Sequence, residues 1–296
     1  MKSDSLKCLY ANLFMSVAAM IWGSALVAQR ASLDVIGPFL FTGLRFLLGA
    51  VVVLAFTLIL NRSSMSFRRE FIARWSATFR AGVLLGAILA VAISLQQIGL
   101  RYTKVSNAGF ISTLYVIIVP IIGMLFGQRT NPGVWIGAVL AVLGLYCLSV
   151  TNQYTIMSGD WYELGGAAVM SAQFILVGHF SHRYDPLMLS LVQFVACGVL
   201  CIVVAFVVEP LNVVHIVNAA PSLIYGGILS VGVGFTIQTI AQKDVTPAHA
   251  AVIFSMEGVF ATLAGWLMLG ETLTANSLTG CALMLVGLIV SQLPIE

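Results

Sequence analysis

The sequence predicts an all-α polytopic membrane protein, with ten transmembrane helices arranged as two inverted five-helix repeats. Three observations predict it. The first is composition: of 296 residues, 60% are hydrophobic and only 8% are charged. Soluble domains carry about a quarter charged residues, so this chain cannot cover a water-facing surface. The second is length: apolar segments of about twenty residues, enough to cross a ~30 Å hydrocarbon core, recur between polar breaks. The third is internal similarity between the two halves of the chain.

The segments fall near 8–28, 35–60, 80–101, 105–127, 132–150, 162–181, 186–208, 221–242, 247–269 and 275–293. The first follows a short polar stretch, MKSDSLK. Its apolar run is long for a signal peptide and further spans follow, so it reads as a retained first span. The connection Asn61–Phe79 is basic and carries Phe67, Phe71 and Trp75 at i, i+4 and i+8. It reads as a positively charged cytoplasmic loop, or as an interfacial helix on anionic lipid. Of the fourteen Lys and Arg residues, an N-terminus inside puts ten on the inner side and only Arg30, Arg101 and Lys104 outside, with Arg45 within a span. The positive-inside rule then places both termini in the cytoplasm and the protein in the cell membrane.

The five cysteines lie in apolar segments without CxxC spacing. They read as buried small hydrophobes, with no metal site and no disulfide framework. No Ser/His/Asp set, phosphate loop or Walker lysine is present, so neither an enzyme nor a cofactor is expected. The partners expected are a small-molecule substrate and the lipid bilayer, not nucleic acid; monomer and homodimer both stay open.

Shifting the first half by 142 residues lands Gln96 on Gln238, Arg101 on Lys243, Thr113 on Ser255, Gly123 on Gly265 and Thr130 on Thr272. A shift of 143 lands Gly137 and Gly144 on Gly280 and Gly287; a shift of 148 lands Pro38 and Phe46 on Pro186 and Phe194. The order of these matches implies a duplication, with repeats over 1–150 and 151–296. Five spans is an odd number, so the second copy is inverted. Inverted repeats build many secondary transporters, whose substrate site lies near the midplane between the copies. Small residues four apart, such as Gly82/Gly86 and Gly133/Gly137, let helix backbones approach closely.

Four stretches carry a family resemblance: IWGSALVAQ (Ile21–Gln29), GLRF (Gly43–Phe46), LYVIIVP (Leu114–Pro120) and IFSMEGVFATLAGWLMLGET (Ile253–Thr272). With them the chain resembles the EamA-type, ten-span branch of the drug/metabolite transporter superfamily over essentially its whole length. The family's usual Glu-Pro is here Glu257-Gly258, which removes a proline kink. The resemblance implies uptake or, more often, export of small metabolites such as amino acids by secondary transport.

Glu257 lies ten residues into its span and Arg45 ten residues into the second. Each is therefore roughly 15 Å deep, near the midplane. Tyr115, the repeat mate of Glu257, reaches the same level. Intramembrane ionisable groups are costly and functional by default. Glu257 reads as a substrate or proton site, as the partner of Arg45 in a salt bridge, or as a protonated core residue. Arg45 is shaped to hold a substrate carboxylate and equally suits a helix lock. Gln96 and Gln238 are repeat-related amides that line a polar path or glue helices. Trp22, within the family-like Trp-Gly, and Trp266 read as aromatic walls. The substrate-binding set expected is Glu257, Arg45, Tyr115, Trp22, Gln96 and Gln238. The function expected is a secondary transporter, an exporter of small metabolites working by alternating access. The alternatives are a lipophilic-cation or drug efflux pump and an intramembrane lipid-modifying enzyme.

Overall fold

A computed structural model of the chain describes residues 2–60, 65–103, 105–125, 127, 131–149, 157–210, 212–269 and 274–292. The first half comprises α1 (Lys2–Ser32), α2 (Pro38–Leu60), α3 (Met65–Tyr102), α4 (Val105–Ser112), α5 (Tyr115–Leu125) and α6 (Pro132–Ser149). The second comprises α7 (Ser158–Ser181), α8 (Pro186–Val208), the short α9 (Val213–Asn218) and α10 (Ala220–Ile224), a π-helical stretch Tyr225–Phe235, α11 (Thr236–Ala241), α12 (Pro247–Phe254), α13 (Glu257–Leu269) and α14 (Ala275–Ser291). Eight segments are long and apolar enough to cross a bilayer, and two shorter apolar helices, Pro132–Cys147 and Ala275–Ser291, fill the remaining places. The ten spans expected are thus all helical.

Helix starts follow local chemistry. Pro38, Pro132, Pro186 and Pro247 each open a helix, where a missing N–H costs nothing. Asp185 accepts from the Met188 N–H at 2.9 Å and Thr246 from the His249 N–H at 3.3 Å, capping α8 and α12. The α2 terminus is capped from another helix: Glu209, just past α8, accepts from the Phe39 and Leu40 N–H groups at 2.7 and 2.9 Å. The basic connection is not a loop throughout. From Met65 onward it is helical and continuous with the third span, making α3 a 38-residue rod. Residues 61–64 and the Gly270-Glu271-Thr272 signature lie outside the described residues.

Packing obeys a pseudo-twofold. α6 packs on α14 and α2 on α8, each pair being repeat mates. α3 packs on α7 as the π-helical stretch and α11 pack on α1; α1 packs on α12 and α13 as α7 packs on α4 and α5. The symmetry is visible atom by atom at the α6–α14 crossing. A Cβ on Gly137 would lie 2.6 Å from the Gly287 carbonyl oxygen, and one on Gly144 would lie 2.6 Å from that of Gly280. The two repeat-related glycine pairs thus form one antiparallel contact of backbone on backbone.

The fourth and ninth spans are both broken, at repeat-related positions. α4 ends at Ser112 and α5 starts at Tyr115; α12 ends at Phe254 and α13 starts at Glu257. The cause is the same in each. Thr113 Oγ1 donates back to the Gly109 carbonyl at 2.6 Å, and Ser255 Oγ to that of Val252 at 2.7 Å. A hydroxyl that takes an intrahelical carbonyl competes with the backbone ladder. The following amides close tighter turns, Leu114 to Ile111 and Met256 to Ile253, each at 3.1 Å. The break at Glu257 therefore needs no following proline, and the Glu257-Gly258 departure leaves the kink in place.

Candidate functional site

The two breaks put Tyr115 and Glu257 at the first positions of α5 and α13. Both residues line one cavity with Arg45, Trp22 and Gln96, alongside Gln29, Ser112, Ser230 and the glycine-alanine pair Gly166–Ala167. Five elements of the first half and three of the second therefore meet here. Five of the six expected site residues come together. The sixth, Gln238, lies elsewhere: its Nε2 donates to Gln173 Oε1 at 3.0 Å.

Three polar atoms around the cavity lack a hydrogen-bond partner among the described residues. Tyr115 Oη, Arg45 Nε and Gln29 Oε1 are buried without a hydrogen bond, although buried polar groups are nearly always satisfied. Glu257 is buried on the cavity wall, and no ion pair joins it to Arg45. Its electrostatic neighbours include Tyr115 and Glu163. The salt-bridge reading of the pair thus has no support in this conformation. Arg45 is held instead by its flat face, with its guanidinium carbon 5.3 Å from the Phe41 centroid and 5.5 Å from that of Phe46. Such cation–π contacts position a guanidinium while leaving its N–H groups free.

Aromatic rings build the cavity floor. Tyr115 stacks on Phe174 at 4.9 Å between centroids, Phe174 meets Phe254 edge-on at 5.6 Å, and Phe254 stacks on Trp22 at 4.8 Å. Trp22 continues to Phe235 at 4.6 Å. The indole Nε1 donates to the Ser230 carbonyl at 3.1 Å, within the π-helical stretch, where the looser winding displaces backbone carbonyls from the α register. Trp22 is thus a wall residue fixed at both its face and its edge. Trp266 is not; it is exposed on the outside of the bundle.

Below this floor lies a second polar layer, made of glutamines on α7, α8 and α11 and of Gln242 just past α11. Besides the Gln238–Gln173 bond, Gln193 Nε2 donates to Thr239 Oγ1 at 3.1 Å and Gln242 Nε2 to the Phe174 carbonyl at 3.1 Å. These amides glue helices in the present conformation, and each keeps an unpartnered atom. The space within the cavity open to the centres of water-sized molecules is ≈ 40 Å³, room for about three waters. A residue absent from the sequence reading is Glu163, fully buried on α7 with both carboxylate oxygens unpartnered. Its position five residues into α7, one turn from Asp160, makes it look like part of a polar helix end. Only the packing of Gly99 against it shows that it is enclosed.

The described residues contain no group of three or more His, Cys, Asp or Glu side chains that could hold a metal ion.

A solved crystal structure covers 96% of this chain and 96% of its own at a TM-score of 0.77 and 21% identity, which establishes the fold. The chain is 30% identical over 296 residues to an uncharacterized transporter of Archaeoglobus fulgidus, covering 98% of this chain and 88% of the relative. It is 21% identical to the uncharacterized transporter YoaV of Bacillus subtilis, over 92% of this chain and 93% of that one. It is 23% identical to the WAT1-related protein At3g02690 of Arabidopsis thaliana, a chloroplastic protein, over 92% of this chain and 67% of that one. The sequence profile of the EamA-like transporter family matches it twice, over residues 9–150 and 157–292. A duplicated ten-span bundle, closed around unpartnered polar groups at its centre, thus belongs to the EamA-like transporter family and is a multi-pass membrane transporter of the drug/metabolite superfamily.

Proposed function

We propose that this transporter exports small metabolites such as amino acids across the cytoplasmic membrane, by alternating access of its two halves, 1–150 and 151–296. The observation that carries the reading is the cavity: a midplane site whose phenol, guanidinium and amide atoms have no hydrogen-bond partner among the described residues. Their satisfaction by a bound solute offsets a cost of about 1–3 kcal/mol for each unpaired buried group.

The chemistry favours a solute with a carboxylate. Arg45 offers a forked donor, and α5 and α13 both begin at the cavity, so their positive dipole ends add to its field. Glu257 supplies the opposite charge for an ammonium group, and the aromatic floor supplies an apolar face. With both termini in the cytoplasm, Gln29, Gln96 and Ser112 lie between the midplane and the outer surface. The site is then closed to the cell by the glutamine layer and nearer to opening outward. Its present volume admits a few waters, so a metabolite enters only as the halves rock apart.

The test is metabolite profiling of cells with and without the transporter, measuring each compound inside and outside. Loss of one compound from the cell on expression names substrate and direction together, and no change in any compound would sink the reading. For the compound found, Glu257→Gln in proteoliposomes should abolish transport or its pH dependence. An unchanged rate and pH profile would remove Glu257 from the mechanism.

One observation favours a second reading, efflux of lipophilic cations. Glu257 is unpaired and sits beside Trp22 and Tyr115, the residue types that attract cations. Tetraphenylphosphonium extrusion by the same cells separates the two readings.

A further inference from the structure

Two carboxylates lie one turn apart on α7, and their surroundings are opposite. Asp160 is fully engaged as an acceptor: Thr103 Oγ1 donates to Oδ1, and the Met157 N–H donates to Oδ2 at 2.9 Å. Glu163 has nothing. It is 0% exposed, and neither carboxylate oxygen has a hydrogen-bond partner. Its side chain fills the notch left by Gly99 on α3, where a Cβ would lie 2.8 Å from both its Cγ and its Oε1.

Among the described residues, the charged groups that act on Glu163 disfavour a negative charge there. The groups that act on Glu163 electrostatically are Asp160 on its own helix and Glu257 across the cavity, both acids. Among the elements packed against α7, α4 and α11 bring no titratable side chain. α5 brings Tyr115, α12 brings His249 at the opposite end, and α3 ends in the exposed Arg101 and Tyr102. No cation among the described residues pairs with Glu163. An ionised carboxylate buried without partner or counter-charge is not tenable by several kcal/mol. Two carboxylates that share a site do not both ionise.

Glu163 is also placed to exchange with the site. Gly166 and Ala167, three and four residues on, line the cavity, and residues at that spacing share one helix face. Glu163 therefore stands on the cavity-lining face of α7, one turn nearer the helix start, towards the end of the bundle where Asp160 meets Thr103, just past α3.

We propose that Glu163 is a proton-binding site of this transporter, and that with Glu257 it forms a pair through which a proton is exchanged for substrate. This rests on the transporter reading given above. In the closed conformation Glu163 carries the proton as a neutral carboxylic acid. When the halves rock apart and water reaches Gly99 and Glu163, the O–H bond breaks, the proton passes to water and the carboxylate is solvated. Re-closure requires a proton to return to one of the two acids. Among the described residues neither carboxylate oxygen has a hydrogen-bond partner, and the ligand assigned is a proton rather than a sodium ion.

The first experiment needs no knowledge of the substrate. The full-length protein in liposomes at neutral pH is examined by infrared spectroscopy for protonated-carboxyl C=O bands that shift on H₂O/D₂O exchange. One such band should vanish in Glu163→Gln while circular dichroism and monodispersity stay as in the unsubstituted protein. A Glu163→Gln spectrum that superimposes on that of the unsubstituted protein overturns the proposal. Loss of the band when choline is replaced by sodium at constant pH overturns it too, in favour of a metal cation. The second experiment uses the compound identified by profiling and liposomes loaded with a pH-sensitive dye. Glu163→Gln should lose substrate-driven proton flux while keeping substrate counterflow, and Glu163→Asp should restore the flux. Loss of counterflow together with proton flux in Glu163→Gln would make the residue structural and end the proposal. Failure to find any transported compound would instead remove the transporter reading, leaving the infrared result to stand or fall alone.

Discussion

Glu257 owes its place to a hydrogen bond made by its neighbour but one. Ser255 diverts a carbonyl of α12, the helix restarts, and Glu257 becomes the first residue of α13. At that position its carboxylate faces the positive end of the half-helix, an interaction of about 0.3–1 kcal/mol, more when partly buried. A second residue-scale constraint acts from α1. A Cβ on Gly23 would lie 2.5 Å from the Glu257 carbonyl oxygen and 2.7 Å from the Ala261 amide nitrogen. Both atoms are backbone and cannot rotate away. Gly23→Ala should therefore push α13 off α1, at a cost of about 1–3 kcal/mol by the usual scale of overpacking. It should impair transport more than it lowers thermal stability in detergent, because the displaced atoms belong to the cavity wall. A variant with unchanged transport would show that this contact does not position Glu257. Trp22, the neighbour of Gly23, was legible as a wall residue because it stands inside its span. Trp266 has the same chemistry and faces outward; its burial depends on which side of α13 meets a neighbour, and hydropathy carries no such information.

At the scale of elements, the cross-helix cap on α2 is the most exposed to test. Glu209 holds two amides that the start of α2 leaves free, and Gly37 leaves room for its carboxylate. Glu209→Ala should lower the unfolding free energy by about 1–2 kcal/mol, read as a drop in melting temperature in detergent, with Glu209→Gln intermediate. Equal stability of all three proteins would make the contact incidental. The spans themselves were legible because lipid demands long apolar helices, and the duplication because loop lengths drifted by only a few residues. The two helix breaks were not. They depend on a hydroxyl at Thr113 and at Ser255 turning back to its own helix, and a hydroxyl in a span reads equally as glue between helices. The π-helical stretch was hidden for a related reason, since an extra residue per turn leaves the apolar pattern continuous.

For the whole molecule, the asymmetry between polar layers sets an expectation about access. The cavity near Gln96 and the glutamine layer holding Gln238 are repeat-related yet differently occupied: one surrounds free space, the other is bonded shut. In a background with the native cysteines replaced, Gln96→Cys should react with a membrane-impermeant thiol reagent added outside, and Gln238→Cys should not. The reverse pattern would invert the orientation proposed for the termini. The sequence alone paired these two glutamines as members of one site. The duplication that related them also placed them on opposite sides of the aromatic floor, because an inverted repeat puts equivalent residues at opposite depths. Glu163 escaped notice for the complementary reason: it has no ionisable repeat mate, and its burial arises only where α7 meets Gly99.

The unbroken α3 has a mechanical consequence. It runs from the cavity wall at Gln96 to Met65, about 46 Å along its axis, well past the ~30 Å hydrocarbon core. A rod of that length is a lever. Each degree by which the wall tilts displaces the far end by roughly 0.8 Å, so a motion too small to resolve at the substrate is magnified where the helix stands clear of lipid. A fluorophore grafted there would act as a pointer, reporting each turnover from outside the membrane.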